Sequence, residues 1–452
     1  MKIKRIVVLF LAVCMLLPIL ASCAGDDPAP PAPVEATPAP VADDDVAVDD
    51  APAPVEADAN GLSGELLFWN TAGTPEERAY WADVIARFNE IHPNVTITYE
   101  TMEGEAYSLN IGTRVAANDL PDIFNYWVGE RFQALVSTGN VMELSGMLSA
   151  NPDFANSFVP GTLDEVAIDG RIYGIPDAIT CMALFYNRRL FEEAGVSVPN
   201  TIDELMDAIQ GLNDAGITPI VVGAMDRWPL LGWYAYIAQR LGGYELYYEI
   251  TQNGGSFAHP LYVEAAEIYR DIAEQGFING ALAIDAGTAD ALFAAGQGAM
   301  MVMGAWSIGV YTADPETAGD FGFIPFPIIP GAAGEAGFLY GGLANVYAVS
   351  NSTNYPEAAK AFLQFIMSEE NVTRRVEITG NAPTVNANPV RENMNPLAYE
   401  FSNFVTETVM GFFPYTDQAL PPEVAERLLN AMVAIIADPN IDIEETLRAI
   451  QG

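Results

Sequence analysis

Apolar and polar positions along the chain follow two periods, one typical of strands and the other typical of helices. Residues 65–69 (ELLFW) and 95–100 (VTITYE) predict short strands of apolar and β-branched residues. Between these strands, apolar residues at positions 81, 84, 85 and 88 share one face of a helix. Thr74 and Glu77 have the spacing of a capping box, which predicts that this helix begins at Pro75.

The same alternation of strand and helix returns later in the chain. A helix predicted over 201–216 is followed by the apolar run ITPIVVG, which predicts a buried strand. NVYAVS (345–350) predicts a strand before a helix over about 356–371. Such alternation favours an α/β architecture with mostly parallel sheets, which bind ligands at the carboxyl ends of their strands. Half of the 452 residues are hydrophobic, so the chain can bury two cores and we expect two lobes.

The first 22 residues have the features of an export signal. Lys2, Lys4 and Arg5 precede an apolar stretch from 6 to 20 that is short for a membrane span, and small residues follow it. The segment LASC (20–23) also resembles a bacterial lipobox, in which the cysteine becomes the first mature residue and carries acyl chains. We therefore expect a signal peptide over 1–22 and lipidation of Cys23, the alternative being an ordinary secretory signal with an incidental cysteine.

Residues 24–61 repeat Pro, Ala, Val and Asp, and they contain no Lys, no Arg and no aromatic residue. This composition is typical of a disordered tether that is extended by its prolines and by charge repulsion. The formal net charge of the whole chain is −41. Nucleic acids and anionic lipid surfaces are poor partners for so acidic a protein.

The inventory of reactive residues is small. Of three cysteines, Cys14 lies in the signal and Cys23 takes the lipid, so Cys181 has no partner for an intrachain disulfide. The only histidines, His92 and His259, are far apart in sequence, which disfavours a zinc site or a histidine-based triad. No glycine cluster is followed by GKS or GKT, so a phosphate-binding loop is not indicated. We expect neither a metal nor another cofactor.

A series of stretches resembles one known family in content and in order. The residues 117–144 and 169–205 are the longest of them, and the others are LLFWN, DRWPLLGWYAYIAQRLGG, ALFAAGQGAMMVMGAWSIG, FGFIPFPIIPG, GGLANVYAVS and YPEAAKAFLQFI. In this order they resemble the extracellular solute-binding proteins of ABC sugar importers, in the branch that includes maltose-, raffinose- and xylobiose-binding lipoproteins. The resemblance covers nearly the whole chain after the tether.

The resemblance implies an α/β, two-lobed periplasmic-binding-protein fold, with hinge strands that cross between the lobes near 176–184, 337–343 and 380–387. The first lobe would hold residues 62–178 plus about 341–382, and the second about 179–340 plus 383–452. It also implies a monomer on the cell surface or the periplasmic side, anchored to the membrane. Its partners would be a neutral sugar or oligosaccharide and the permease subunits of an ABC transporter.

A sugar has apolar C–H faces and a girdle of hydroxyls, so its site needs flat aromatic walls with polar groups at the edge. Trp127, Trp228 and Trp306 lie in the matched stretches and are candidate walls, whereas Trp233 is equally compatible with a core position. Asn70, next to a tryptophan that ends a predicted strand, is a candidate contact because an amide both donates and accepts hydrogen bonds.

Further candidate contacts lie beside these aromatic residues and at the expected hinge. Asn125 and Glu130 flank Trp127. Asp177, at the first crossing, either accepts hydrogen bonds from sugar hydroxyls or caps the hinge. Gly341 and Gly342 either allow close approach of the backbone to a ligand or form a plain hinge turn. Leu343 and Ala344 follow them where the family often has a glycine or a polar residue.

Two other readings use the same residues. A secreted glycoside hydrolase also has aromatic walls, but it needs a defined pair of carboxylates, and no motif singles one out among 60 acidic residues. The same fold with an anionic or peptide cargo would need cationic side chains at the cleft. The matched stretches offer only Arg131 and Arg227 for that purpose. We therefore expect a neutral sugar and no enzymatic activity.

Overall fold

The computed structural model describes residues 61–71, 74–102 and 104–451. The predicted signal peptide, Cys23 and residues 24–60 of the predicted tether lie outside this part of the chain. No helix within the described residues is both long enough and apolar enough to cross a membrane.

The strands, in chain order, are β1 Gly64–Asn70, β2 Val95–Thr101, β3 Ile123–Trp127, β4 Ala167–Ile168, β5 Arg171–Ile172, β6 Gly174–Pro176, β7 Ala178–Asn187, β8 Met300–Gly304, β9 Phe321–Ile324, β10 Phe338–Leu343, β11 Asn345–Val349, β12 Ala382–Pro383 and β13 Gly411–Phe413. The α-helices are α1 Pro75–Ile91, α2 Gly104–Ala117, α3 Glu130–Ser137, α4 Ser145–Ala150, α5 Pro152–Asn156, α6 Thr162–Glu165, α7 Arg188–Ala194, α8 Ile202–Asp214, α9 Trp228–Gln252, α10 Pro260–Gly276, α11 Ala286–Ala294, α12 Ile308–Tyr311, α13 Pro356–Ile366, α14 Glu369–Thr379, α15 Pro396–Thr408, α16 Thr416–Ala419, α17 Pro422–Ala437 and α18 Ile443–Arg448.

The predicted start of α1 is confirmed. Thr74 Oγ1 accepts a hydrogen bond from the Glu77 amide at 3.1 Å, and the Glu77 side chain accepts one from the Thr74 amide at 3.1 Å. At the start of α8, Thr201 Oγ1 also accepts from the Glu204 amide, but the Glu204 side chain accepts from the Asn200 amide. These bonds satisfy amide groups that have no partner within a helix.

Two details of the predicted secondary structure are wrong. The helix expected over 356–371 is broken, because α13 ends at Ile366 and Ser368 caps a separate helix, α14. The run ITPIVVG is buried, but it contains only isolated bridges, at Ile220 to Phe277 and to Met300. The sequence of so short an apolar run does not distinguish a strand from a buried loop, so tertiary packing decides between them.

The first sheet has five strands in the order β2-β1-β3-β11-β6. Strands β1, β2 and β3 are parallel, whereas β11 is antiparallel to both β3 and β6. The adjoining core holds large aromatic residues, including Phe68, Trp81, Phe88 and Phe362. This is the first lobe, and the prediction of parallel strands is correct for its leading half.

The second sheet is built around the ten-residue strand β7. Its inner end pairs with β10 and β12, and its outer end pairs with β8 and β9, all four antiparallel to it. Only the pair β10 and β13 is parallel, so the expectation of mostly parallel strands is wrong for this sheet. Helices α8, α9, α10 and α17 contribute residues to the core beside it, which is the core of the second lobe.

Two strand pairs run directly from one lobe into the other. Strand β6 continues through Asp177 into β7, and β10 continues through Ala344 into β11. The Asp177 amide donates to the Asn345 carbonyl at 2.9 Å, and the Ala344 amide donates to the Ala178 carbonyl at 3.2 Å. The two crossing segments are therefore hydrogen-bonded to each other at the hinge. The crossings are centred on Asp177 and Ala344.

The third passage between the lobes is displaced from the predicted boundary at 382/383. Strand β12 pairs with β7 at the hinge, but Val385 and Met394 then pack in the core of the first lobe. The chain enters the core of the second lobe only at Leu397, in α15. The hydrogen bond from the Val159 amide to the Thr384 carbonyl holds this segment on the first lobe, which explains the correction.

A buried ion pair supports the hinge. The Asp177 carboxylate pairs with the Arg375 guanidinium on α14, and both side chains are largely buried. Arg375 also donates to the Tyr347 hydroxyl at 3.2 Å and lies 5.9 Å from the centre of the Trp81 ring. Burial is the largest single influence and lowers the pKa of Arg375, but the charge and hydrogen bond of Asp177, together with Tyr347 and Tyr80, outweigh it and raise that pKa above its usual value. Arg375 is therefore charged in the folded protein.

We predict that Arg375→Met lowers the free energy of unfolding by about 3–5 kcal/mol, because it leaves the Asp177 carboxylate buried without its counter-charge. The matched control is Arg374→Met. Arg374 pairs with the exposed Asp83, and an exposed pair of this kind contributes about 0–1 kcal/mol. Urea unfolding of the three proteins measures the difference. Equal losses in the two variants would contradict a special role for the hinge pair.

Candidate functional site

Polar and aromatic side chains collect at the carboxyl edge of the first lobe's sheet. Asn70 is the last residue of β1, and Trp127 is the last residue of β3. Asn125 lies two residues before Trp127, so the pleat directs both side chains to one face of β3. The Tyr107 hydroxyl donates to the Asn125 carbonyl at 2.5 Å, and the Tyr107 ring lies 5.8 Å from that of Trp127. Side chains predicted from separate stretches are thus brought to one edge.

Several buried polar atoms at this edge and at the hinge have no hydrogen-bond partner among the described residues. They are Asn70 Nδ2, Asn125 Oδ1, Thr180 Oγ1, Asn345 Oδ1 and Gln418 Oε1. The set contains a donor, three acceptors and a hydroxyl that can act as either. A buried polar group without a partner costs about 1–3 kcal/mol, and groups of this kind bond to ordered water or to a ligand.

The second lobe presents an aromatic cluster. Trp228 begins α9, and Trp306 lies in the turn that follows β8. Their ring centres are 6.1 Å apart, and Trp306 lies 6.3 Å from Tyr415. Trp228 and Trp306 are both only partly buried. Both rings pack against the hydrophobic cores of the second lobe, and their role as walls for a ligand stays a prediction.

The two lobes touch at several points around these groups. An ideal Cβ at Gly309, three residues after Trp306, would lie 3.3 Å from Thr74 Cγ2 at the start of α1. One at Gly104 would lie 3.8 Å from Asp226 Oδ2. Arg131 Nη1 lies 3.7 Å from Asp417 Oδ2, which joins α3 to α16. The helix starts that follow β1, β2 and β3 therefore all face the second lobe across a closed cleft.

Both candidate cations of the cleft have carboxylate partners. Arg131 faces Asp417, and its guanidinium lies 5.1 Å from the centre of the Trp127 ring. Arg227 pairs with Glu426 at 2.8 Å within the second lobe. Glu130, the first residue of α3, is partly buried beside Arg131. The positive charges that an anionic ligand would need are thus already balanced.

The structure corrects the placement of Trp233. Its side chain is completely buried in the second lobe, with ring centres of Phe277 and Phe326 each 5.7 Å away. Residues 229–241 of α9 are buried on every side of the helix, so Trp233 faces core and cannot form a wall of the cleft.

The hinge residues take positions that their structural roles explain. The Asp177 carboxylate is engaged by Arg375, and its contact with a ligand stays a prediction. An ideal Cβ at Gly341 would lie 2.3 Å from the Thr180 carbonyl oxygen, so the close approach at Gly341 is to β7. Gly342 has φ +133°, a conformation that favours glycine, and an ideal Cβ there would lie 3.8 Å from Phe412 Cβ. A ligand contact at these glycines also stays a prediction.

Five further residues near the hinge and the aromatic groups were not predicted from the sequence: Tyr107, Thr180, Asn345, Tyr415 and Gln418. Thr180 and Asn345 lie within matched stretches, and their position beside the crossings was the available signal. Tyr415 and Gln418 lie in 383–452, where no motif had been recognised. Their approach to the cleft depends on a fold contact between α3 and α16 that local patterns do not contain.

The described residues offer little for metal or thiol chemistry. They contain no group of three or more His, Cys, Asp or Glu side chains that could hold a metal ion. Cys181 is buried, and burial raises the pKa of its thiol, so the reactive thiolate is suppressed. The arrangement instead supports binding between two lobes.

Two α/β lobes that are joined by crossing strands and touch at the helix starts after β1, β2 and β3 define a two-lobed binding-protein fold. The chain belongs to the family of bacterial extracellular solute-binding proteins, whose model matches residues 71–373. The resemblance found in the sequence and the predicted fold class are both confirmed.

The individual relatives have low sequence identity to this chain, but they align with most of its length. The chain is 26% identical over 295 residues to an uncharacterized ABC transporter extracellular-binding protein of Pyrococcus horikoshii, covering 64% of this chain and 65% of that protein. It is 25% identical to a xylose/arabinose-binding protein of Haloferax volcanii, covering 79% and 75%. A solved structure from a study of xylan utilization by Caldanaerobius polysaccharolyticus is 29% identical, with a TM-score of 0.81 over 86% of this chain and 99% of that one.

Proposed function

We propose that this protein is a receptor that binds a neutral sugar or oligosaccharide between its lobes and delivers it to the permease of an ABC transporter. The observation that carries the proposal is the set of unpaired amide and hydroxyl atoms in the first lobe, at the hinge and in α16, in a protein whose second lobe also presents the partly buried Trp228 and Trp306 rings. A sugar can contact both the polar atoms and the aromatic rings, because its hydroxyls donate and accept hydrogen bonds while its C–H faces stack on aromatic rings. The xylose/arabinose-binding relative supports the same class of ligand.

An anionic or peptide cargo fits the cleft less well. Arg131 and Arg227, the cations suggested for such a cargo, face Asp417 and Glu426. Binding an anion would add a third charge to one of these pairs and would require its rearrangement. A neutral ligand leaves both pairs intact, so neutral sugars remain the favoured class.

A glycoside hydrolase is the rival from another class. It would need two carboxyl groups on either side of a scissile bond, about 5–10 Å apart. Two acidic residues where the lobes meet, Asp417 and Asp177, pair with arginines, which suits structural roles better than proton transfer. We propose that the protein binds its sugar without cleaving it.

The proposed mechanism is hinge closure. The paired strands β6–β7 and β10–β11 bend while the lobes remain intact, and the ligand joins groups from both lobes. The ligand shifts the population towards the closed form only through contacts made in that form. The permease then recognises the closed protein. The receptor is proposed to act as a monomer, held on the outer side of the membrane by acyl chains on Cys23.

Isothermal titration against a panel of solutes tests the class of ligand. The panel holds D-xylose, L-arabinose, xylobiose, maltose, glycerol 3-phosphate and a tripeptide. We expect saturable binding of at least one neutral sugar and no binding of the last two. Saturable binding of glycerol 3-phosphate or the tripeptide alone would exclude the neutral-sugar proposal. Release of monosaccharide from xylobiose or maltose would favour the hydrolase.

Trp306→Ala is expected to weaken binding of the sugar found in that panel by more than about tenfold, which corresponds to about 2 kcal/mol for a well-packed aromatic contact. Trp81→Ala serves as the control, since Trp81 packs in the first lobe's core and its loss should cost about 3–5 kcal/mol of stability. Titrations and melting curves separate the two effects. If Trp306→Ala melts as early as Trp81→Ala and binds sugar normally, Trp306 is a core residue.

Cys23→Ser in the full chain is expected to abolish lipid attachment, because serine has no thiol to acylate. Cells that express either protein are labelled with a radioactive fatty acid, and label in the immunoprecipitated protein is compared. Label should appear in the wild-type protein only. Equal labelling of both proteins would refute the anchor at this residue, whatever the result of the sugar titrations.

A further inference from the structure

The start of α3 in the first lobe meets α16 in the second lobe, and the contact involves both charge and backbone. Arg131 Nη1 lies 3.7 Å from Asp417 Oδ2, with 19% and 14% of the two side chains exposed. Beside this pair, an ideal Cβ at Gly129 would lie 2.4 Å from the Gln418 carbonyl oxygen. The contact joins segments that belong to different lobes, so hinge opening separates it.

The same arginine touches the aromatic edge of the first lobe. Its guanidinium lies 5.1 Å from the Trp127 ring centre, a distance at which a cation is attracted to the face of an indole. The edges of that ring are bounded by Tyr107 at 5.8 Å and Tyr126 at 5.4 Å. Arg131 thus lies between a candidate ligand wall and a carboxylate of the opposite lobe.

The partner across the cleft is held rigidly. Thr416, the residue before Asp417, donates its amide to the Tyr340 hydroxyl at 2.8 Å, and its Oγ1 lies 2.8 Å from the Tyr247 hydroxyl. Burial raises the pKa of both tyrosines, so both remain neutral hydroxyls. Because these bonds tie α16 to β10 and α9, the Asp417 carboxylate is presented to Arg131 in a fixed position.

We propose that Arg131 is a positioning residue that couples lobe closure to the orientation of Trp127, with Asp417 as its partner in the closed form. Closing brings Asp417 to the guanidinium, which fixes the guanidinium over the indole. The part of this inference that concerns Trp127 rests on the proposed function. The part that concerns closure does not, since the ion pair joins the lobes whatever the ligand is. Because the pair is only partly buried, salt weakens it.

Closure is measured without ligand, from the distance between spin labels on exposed residues of the two lobes. Ser149 in α4 and Asp207 in α8 are replaced by labelled cysteines in the full chain, with Cys14 and Cys23 changed to serine. The buried Cys181 does not compete for the label. Asp417→Asn and Arg131→Gln are each expected to move the distribution to longer distances. The exchanged pair, Arg131→Asp with Asp417→Arg, should restore the short distance.

We call the Arg131–Asp417 ion pair the latch. Two sets of matched controls separate its loss from the general effects of removing a charge or straining a glycine. Glu426→Gln removes the partner of Arg227 within one lobe, and it should leave the distances unchanged. Gly129→Ala and Gly139→Ala both strain a left-handed glycine, with φ +79° and +78°, but only position 129 has the opposite lobe within 4 Å. Gly129→Ala should therefore open the lobes and Gly139→Ala should not. Raising salt from about 0.05 M to about 0.5 M should open the wild type more than Asp417→Asn.

A second measurement uses the neutral sugar identified by titration. Arg131→Gln should weaken its binding roughly three- to tenfold. The exchanged pair should recover closure but not full affinity, because it places a carboxylate beside the Trp127 ring.

The inference is overturned if Asp417→Asn leaves the label distances unchanged at low salt, or if Glu426→Gln opens the lobes equally. Distances that respond as expected, in a protein that binds no sugar of the panel, would support the latch and refute the proposed function. Sugar binding by a protein whose label distances do not change would support the proposed function and refute the latch.

Discussion

The hydrogen-bonded pair of crossing strands is the constraint on which the other features of the molecule depend. The Asp177 amide bonds to the Asn345 carbonyl and the Ala344 amide bonds to the Ala178 carbonyl, so β6–β7 and β10–β11 pass between the lobes as one ribbon. Arg375 adds a buried charge pair to the same ribbon. A two-stranded connection of this kind can bend across its width while its register is kept, because ladder bonds fix the pairing of residues. The lobes can therefore move as units around a preserved alignment.

This alignment decides which side chains meet. The carboxyl ends of β1 and β3 bring Asn70 and Trp127 to the edge that faces the second lobe. The turn after β8 and the start of α9 bring Trp306 and Trp228 to the other side. Under the proposed function, Asn70 and Asn125 on the first lobe and the Trp228 and Trp306 rings on the second contribute to one ligand site. A site that draws on both lobes links affinity to closure.

Much of this arrangement was predictable from the chain, for reasons that are local. The capping box at Thr74 and the alternation in β2 depend on neighbouring residues, and both predictions hold in the structure. Predictions failed where distant segments compete for the same residues. Ser368 ends a continuous helical pattern by capping α14, and Val385 and Met394 return to the first lobe after β12 has touched the hinge. The pairing of Arg131 with Asp417 joins residues far apart in sequence, and no short pattern contains such a contact.

Trp228 and Trp233 show most clearly which features the sequence determines and which depend on tertiary packing. The sequence by itself determined that strands and helices alternate and that the chain forms two α/β lobes of a recognisable family. It did not determine which tryptophan faces the cleft. Helix α9 is apolar around its whole circumference over 229–241, so periodicity offers no polar face to mark the outside. Only the packing of α9 against Phe277 and Phe326 places Trp233 in the core, while Trp228 remains beside Trp306 at the cleft.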